Sequence, residues 1–140
     1  MSADDEALHT GFEAGIAAAR SRLGDDHGFV IDGAARTGDG WFQERSPTDH
    51  DVVVGRYAQA TAGDVDDAVT AAARFASFWA AIPWQERVAL LAGAADLISE
   101  RRNVLAALMS IEVGKNRLEA LGDVEESADL IRYYCHQMED

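Results

Sequence analysis

From residue 61 onward the chain repeats apolar residues at three- and four-residue steps, and that period limits its possible folds more than any other feature. Val65, Ala68, Val69, Ala72, Ala76 and Trp79 make one stripe. Val88, Leu91, Ala94, Leu97, Ile98, Leu105, Leu108 and Met109 make a second, and Leu121, Val124, Ala128, Ile131 and Cys135 a third. The spacing predicts three amphipathic helices, and the residues between them read as starts and stops. Thr61 with Asp64 three positions on resembles a capping box, with Asp where Glu or Gln is usual. Pro83 suits a first turn, where its missing N–H would be unpaired anyway. Gly114 can adopt the left-handed conformation that ends a helix, and Lys115 then sets positive charge beside the exposed carbonyls. Asn116 with Glu119 offers the next N-cap, so "EVGKN" predicts two helices meeting at a tight turn. Leu130 and Tyr133 lie on the other side of the last helix. A helix apolar on more than one face is normally buried on more than one face, yet the chain holds little to bury it. Covering polypeptide is therefore expected to be missing.

Before residue 61 the period changes. Leu8, Phe12, Ile16, Ala19 and Leu23 predict a first helix over residues 7–23, ended by "GDDHG". "FVIDG", "WFQER" and "DVVVGRYAQAT" are short aromatic or β-branched runs, separated by "ARTGDG" and "SPTDH" with the Gly, Asp and Pro of turns. Two or three strands are expected, the first pair a hairpin. So small a ribbon is marginal alone and leaves open edges. The segments are an N-terminal helix in 1–27, short strands in 28–61 and a helical part in 62–140. The class is α+β.

A chain of 140 residues suits one modest core. Its 25 acidic against 12 basic residues give a formal charge of -13, which repels phosphate backbones and anionic membranes. Neither nucleic acid nor membrane is an expected partner. The acidic excess runs along the whole chain, as on the solvated surface of proteins from a salty cytoplasm. The single cysteine excludes an internal disulfide and any multi-cysteine zinc site, and fits a reducing compartment. "MSADDEALHT" shows no basic and apolar leader pattern, and no stretch nears the roughly 20 apolar residues of a membrane span. A cytoplasmic location is expected.

Complete catalytic motifs are absent. A phosphate loop ending at Gly114-Lys115 would need Gly at 109 and Ser or Thr at 116, where Met109 and Asn116 stand. Cys135 and His136 invite a nucleophile and base, but adjacent helical residues diverge by about 100°, which favours a buried structural thiol. His9, His27, His50 and His136 lack metal-ligand spacing. "GDG" at 38–40 lacks the third glycine of a dinucleotide fingerprint, and no nucleophile elbow occurs. Glu119, Asp123 and Glu126 share one helical side, ordinarily a solvated face with Lys115 and Arg132 as pairing partners. Glu126 also shares that side with Leu130 and Tyr133. If the side packs on another domain, the charge of Glu126 would be confined there and could meet a cationic group.

"RSPTD", "VVGRYAQATAGDVDDAVTAAARFASFWA", "PWQERVALLAGAADLISERR" and "LMSIEVGKNRLEA", taken in that order over residues 29–138, resemble the N-terminal part of the aldehyde dehydrogenase superfamily. Within it, "EVGKNRLEALGDVEESADLIRYYCHQME" resembles the 1-pyrroline-5-carboxylate dehydrogenase branch. The resemblance implies part of the family's α/β fold and an NAD- or NADP-dependent oxidation of L-glutamate γ-semialdehyde to glutamate in proline catabolism. In that chemistry a cysteine thiolate attacks the aldehyde, hydride passes to the nicotinamide, and a glutamate-activated water releases the acid. The family's nucleophile, general base, oxyanion asparagine and nicotinamide-binding glycines all lie beyond the matched region, and Cys135 aligns with none of them. Of the residues present, Glu126 corresponds to a glutamate near the substrate's amino end.

The expectation is thus an N-terminal portion, inactive alone, with no tight cofactor binding and with the remainder of a dehydrogenase or a homologous subunit as partner. Two rivals are a small acidic interaction protein that docks onto a full-length dehydrogenase, and an independent acidic α+β domain.

Overall fold

The computed structural model describes residues 5–139; residues 1–4 and 140, the outer limits of the expected N-terminal and helical segments, lie outside the described residues. Asp5 opens the first helix, its carboxylate accepting from the N–H groups of Ala7 at 3.0 Å and Leu8 at 3.2 Å. This helix, α1 (Glu6–Arg20), buries Phe12, Gly15 and Ala19, one small residue per turn beside a large one. Gly15 has no side chain because none fits: a Cβ there would stand 2.3 Å from the backbone oxygen of Asn103. Burying Phe12 against the same core stabilises the contact by roughly 2–3 kcal/mol.

Gly24 turns the chain at φ 82° and donates its N–H to the Val54 carbonyl at 3.2 Å, which ties the end of the first helix to the strands. Five short strands follow: β1 (Asp26–His27), β2 (Phe29–Ile31), β3 (Ala34–Arg36), β4 (Gly40–Arg45) and β5 (Val53–Gln59). They form two sheets. One has the order β1-β5-β4, with β1 parallel and β4 antiparallel to β5 and a register shift at Glu44/Arg45. The other is the β2–β3 hairpin, which pairs Phe29 with Arg36 and Ile31 with Ala34.

The expected first hairpin, "FVIDG" against "WFQER", is therefore corrected. "FVI" pairs with Ala34–Arg36, a stretch that sequence reasoning assigned to a turn, whereas "WFQER" pairs with β5. Asp32 at φ 52° and Gly33 at φ 77° supply the two left-handed residues of a tight two-residue hairpin turn. That turn reverses the chain at once, before "WFQER" is reached.

Four helices complete the chain: α2 (Ala62–Ala81), α3 (Trp84–Glu100), α4 (Arg102–Val113) and α5 (Arg117–Gln137). The α+β class stands, but four helices follow the strands instead of three. The expected single helix from Pro83 to Gly114 breaks at Arg101, whose N–H is shared between the carbonyls of Leu97 and Ile98. The bend lets α3 pack on α5 while α4 packs on α1 and α5 together. Ala106, Ala107, Ala120, Leu121 and Val124 join Phe12 and Ala19 at the centre of that packing.

At the start of α2, Thr61 and Asp64 form the reciprocal box: the Asp64 N–H donates to Thr61 Oγ1 at 3.1 Å, and the Thr61 N–H donates to Asp64 Oδ2 at 2.9 Å. The shorter Asp side chain is long enough to close the box. No residue of α2 is buried, and the helix packs mainly on β2. Ion pairs hold it to the hairpin: Arg36 reaches Asp64 at 3.1 Å and Asp67 at 2.7 Å, and Arg74 reaches Asp32 at 2.6 Å.

Hydrogen bonds from the Thr61 hydroxyl and backbone, then from Arg36, hold the Asp64 carboxyl below its ordinary 3.8. A carboxyl depressed by folding contributes stability above its unfolded pKa, and that stability is lost as pH falls through the folded value. The protection of amides in the first turn of α2, taken relative to the unstructured exchange rate at the same pH, should therefore be constant above pH 3.8 and fall below it. The Asp64→Asn variant should lose that pH dependence; retention would show that the box does not set it.

Candidate functional site

The joint between α4 and α5 is built from two sequence stretches far apart in the chain. Gly114 ends α4 at φ 75°, its N–H donating to the Ser110 carbonyl at 3.1 Å. Asn116 then starts α5 by accepting the Glu119 N–H at 3.0 Å. Helix C-termini leave carbonyls without intrahelical donors, and Ile111 is one of these. Ser46 reaches it: its hydroxyl donates to the Ile111 oxygen at 2.6 Å and lies 2.9 Å from Thr48 Oγ1. Ser46 is 1% exposed, and Thr48 Cγ2 would stand 3.3 Å from a Cβ at Gly114. The "SPTD" turn thus packs on the "EVGKN" joint and fixes where α5 begins.

On α5 the buried residues are Ala120, Leu121, Val124, Ala128 and Cys135. At about 100° per residue, Glu119, Glu126 and Tyr133 fall on the opposite side. Glu126 is exposed there, with Leu130 and Tyr133 at least half exposed beside it. The structure thus places Glu126 on the bare face of α5 together with the two neighbours expected from the sequence. Lys115 pairs with Asp123, whose hydrogen bond holds the lysine above its ordinary pKa, with Glu119 and Glu126 adding to the effect. A groove of about 580 Å³ runs between α4 and α5, lined by Leu108, Met109, Val113 and Val124, with Lys115 and Asp123 among its polar residues.

Cys135 is 8% exposed, and its Sγ faces the Val88 carbonyl at 3.7 Å. His136 turns to Glu139, with Nδ1 3.7 Å from its carboxylate. The pair forms no nucleophile and base. The other histidines are apart: His9 Nδ1 lies 2.8 Å from an Arg117 Nη1, His27 stacks on Tyr57 at 5.0 Å, and the His50 carbonyl accepts from Arg45. Among the described residues no group of three or more His, Cys, Asp or Glu could hold a metal, and no helix is long and apolar enough to cross a membrane. The N-termini of α1, α2 and α5 are occupied by their own side-chain oxygens from Asp5, Thr61 and Asn116, with an acidic residue in each first turn. Gly114 terminates α4, with Thr48 and Pro47 packed beside it.

Sequence reasoning missed Ser46. A lone serine carries no signal in isolation, although its position inside the "RSPTD" motif did. It also missed Arg117, which lies 4.6 Å over the Phe12 ring and pairs with Glu13, fastening α5 to α1.

Residues 35–140 match the model of the aldehyde dehydrogenase family. The chain belongs to that family. It is 32% identical over 127 residues to 1-pyrroline-5-carboxylate dehydrogenase 2 of Bacillus subtilis, covering 91% of this chain and 25% of the relative. A namesake from Halalkalibacterium halodurans is 32% identical over 133 residues, 95% of this chain and 26% of the relative. The fold superposes on a mutant of Thermus thermophilus 1-pyrroline-5-carboxylate dehydrogenase with a TM-score of 0.93 at 29% identity, covering 97% of this chain and 26% of that one. A structure of the Thermus enzyme with bound NAD gives 0.92 at 29% identity, with the same coverage. This aldehyde dehydrogenase chain corresponds to the family's N-terminal part and spans about a quarter of the length of the curated relatives it matches.

Proposed function

We propose that this chain is the N-terminal portion of a cytoplasmic 1-pyrroline-5-carboxylate dehydrogenase, which oxidises L-glutamate γ-semialdehyde to glutamate in proline catabolism with NAD or NADP. One observation carries the reading. The helix-cap-helix joint, held by Ser46 and Gly114, turns Glu126 outward on a bare face, in a fold superposable on such dehydrogenases over nearly the whole chain. The chain's own residues contribute positioning. Glu126 is a substrate-proximal carboxylate suited to the ammonium group of an amino acid, to which an exposed anion offers a charge-assisted hydrogen bond. The nucleophile, the base and the cofactor site come from the rest of the fold, so this portion is inactive alone and does not bind the cofactor tightly.

The test is steady-state kinetics on the full chain combined with the part of the Bacillus subtilis relative that lies outside the matched stretch, using semialdehyde and NAD. Glu126→Gln should raise KM for the semialdehyde about tenfold, a loss of ~1.4 kcal/mol, and leave kcat within about twofold. An unchanged KM removes Glu126 from the substrate's surroundings. Absence of turnover by the wild-type combination removes the activity.

A further inference from the structure

The buried apolar residues of this chain are largely small. Ala19, Ala95, Ala106, Ala107, Ala120 and Ala128 are buried, whereas Phe75, Phe78, Leu90 and Tyr134 are each more than half exposed. Apolar burial, the main favourable contribution to folding, is therefore modest here. Opposing it is the formal charge of -13, which folding gathers from a coil with a radius of gyration of roughly 39 Å into a body of roughly 14 Å. The basic residues cannot offset it. Most are already in exposed ion pairs, as Arg22 is with Asp25 at 3.5 Å and Arg74 with Asp32 at 2.6 Å, and pairs of that exposure contribute little each. Asp39, Asp51, Asp66 and Glu100 are exposed and belong to none of the ion pairs among the described residues. They stand before β4, before β5, on α2 and at the end of α3, so the surplus is distributed over the surface and not gathered at one place.

We propose that this fold is conditional on salt, its stability rising steeply with monovalent salt because screening relieves the self-repulsion of the carboxylate surplus. Two electrostatic effects of opposite sign compete. Salt weakens the attraction within ion pairs, and it also weakens the repulsion among like charges. The range of each decides the outcome. An exposed pair acts over its own few ångströms, whereas the surplus acts across the whole molecule wherever the screening length allows. That length is roughly 30 Å at 0.01 M, about 10 Å at 0.1 M and about 3 Å at 1 M. At the first value every carboxylate feels the net charge of the folded body; at the last it feels only its immediate neighbours. With a core so poor in large side chains, relief of the repulsion outweighs the loss of the pairs. Substrate identity plays no part in this.

The experiment follows thermal unfolding of the full chain by circular dichroism in KCl from about 0.01 M to about 1 M. The midpoint should rise by at least about 10 °C, or the chain should be unfolded at the lowest salt and folded at the highest. Two variants each remove four units of the net charge of -13 by different routes. One neutralises four carboxylates, with Asp39→Asn, Asp51→Asn, Asp66→Asn and Glu100→Gln together. The other reverses two, with Asp39→Lys and Asp66→Lys. Repulsive energy grows as the square of the charge, so the rise should shrink to about half in both. Both should also unfold at a higher midpoint than the wild type at the lowest salt. If one variant fails to fold at the highest salt, the other decides. The proposal is overturned if the wild-type midpoint falls or stays level as KCl increases, because the ion pairs then dominate. It is equally overturned if a folded variant keeps the full rise, because salt then acts on the exposed apolar surface and not on charge.

Discussion

Gly15→Ala is expected to lower the chain's cooperative stability by about 2 kcal/mol. The new Cβ would stand 2.3 Å from the Asn103 carbonyl oxygen, 2.6 Å from its carbon and 3.1 Å from the Val104 nitrogen. All three are backbone atoms of α4, which cannot rotate aside as a side chain would. Two effects oppose each other. Alanine improves the isolated helix by about 1 kcal/mol over glycine, whereas forcing a methyl into a packed backbone contact costs 1–3 kcal/mol or more. The contact is tight enough for the second to win at the upper end of its range, with a net loss of about 2 kcal/mol set against a total domain stability of roughly 5–15 kcal/mol. Urea unfolding should show the midpoint fall sharply. Gly93→Ala is the matched control: nothing lies within 4 Å of a Cβ there, so helix propensity acts alone and the midpoint should rise. A Gly15→Ala chain as stable as the wild type would mean that α1 does not sit on α4 as described.

The second large effect is expected at Ser46→Ala. Alanine removes the hydroxyl alone, which leaves the Ile111 carbonyl without the donor that reaches it at 2.6 Å and takes a neighbour from Thr48 Oγ1. An unpaired buried acceptor costs about 1–3 kcal/mol. A loss of about 2 kcal/mol by urea unfolding is expected, with faster amide exchange in the last turn of α4. The same loss without any change in exchange there would show that the serine acts through packing and not through its hydroxyl.

What the sequence revealed depended on how local the cause was. The Thr61–Asp64 box, the left-handed Gly114 and the Asn116 cap each depend on residues a few positions apart, and all were readable. So was the division of α5 into a buried stripe and a bare side with Glu126. The break at Arg101 was hidden because Ala95 and Ala106, both fully buried, stay in phase on one helical period, so nothing in the spacing marks the bend. The β2–β3 hairpin was obscured by Ala34 and Ala35, which have little strand character. Its Asp32-Gly33 turn was the signal that could have overruled composition. Gly11, Gly15 and Ala19, one turn apart, announced a close helix approach that attention to Phe12 and Ile16 concealed. Ser46 became meaningful only once folding brought it to Ile111, 65 residues away.

The clasp that Arg117 makes on His9 and Glu13 spans 108 and 104 positions of sequence. During translation the first helix therefore emerges long before the residues that receive it. At roughly 5–20 residues per second, it waits on the order of 5–20 s with its glycine-lined side unpaired. Nascent chains paused between those points should be captured by chaperones through Phe12 and its neighbours, and released once Arg117 has cleared the ribosome.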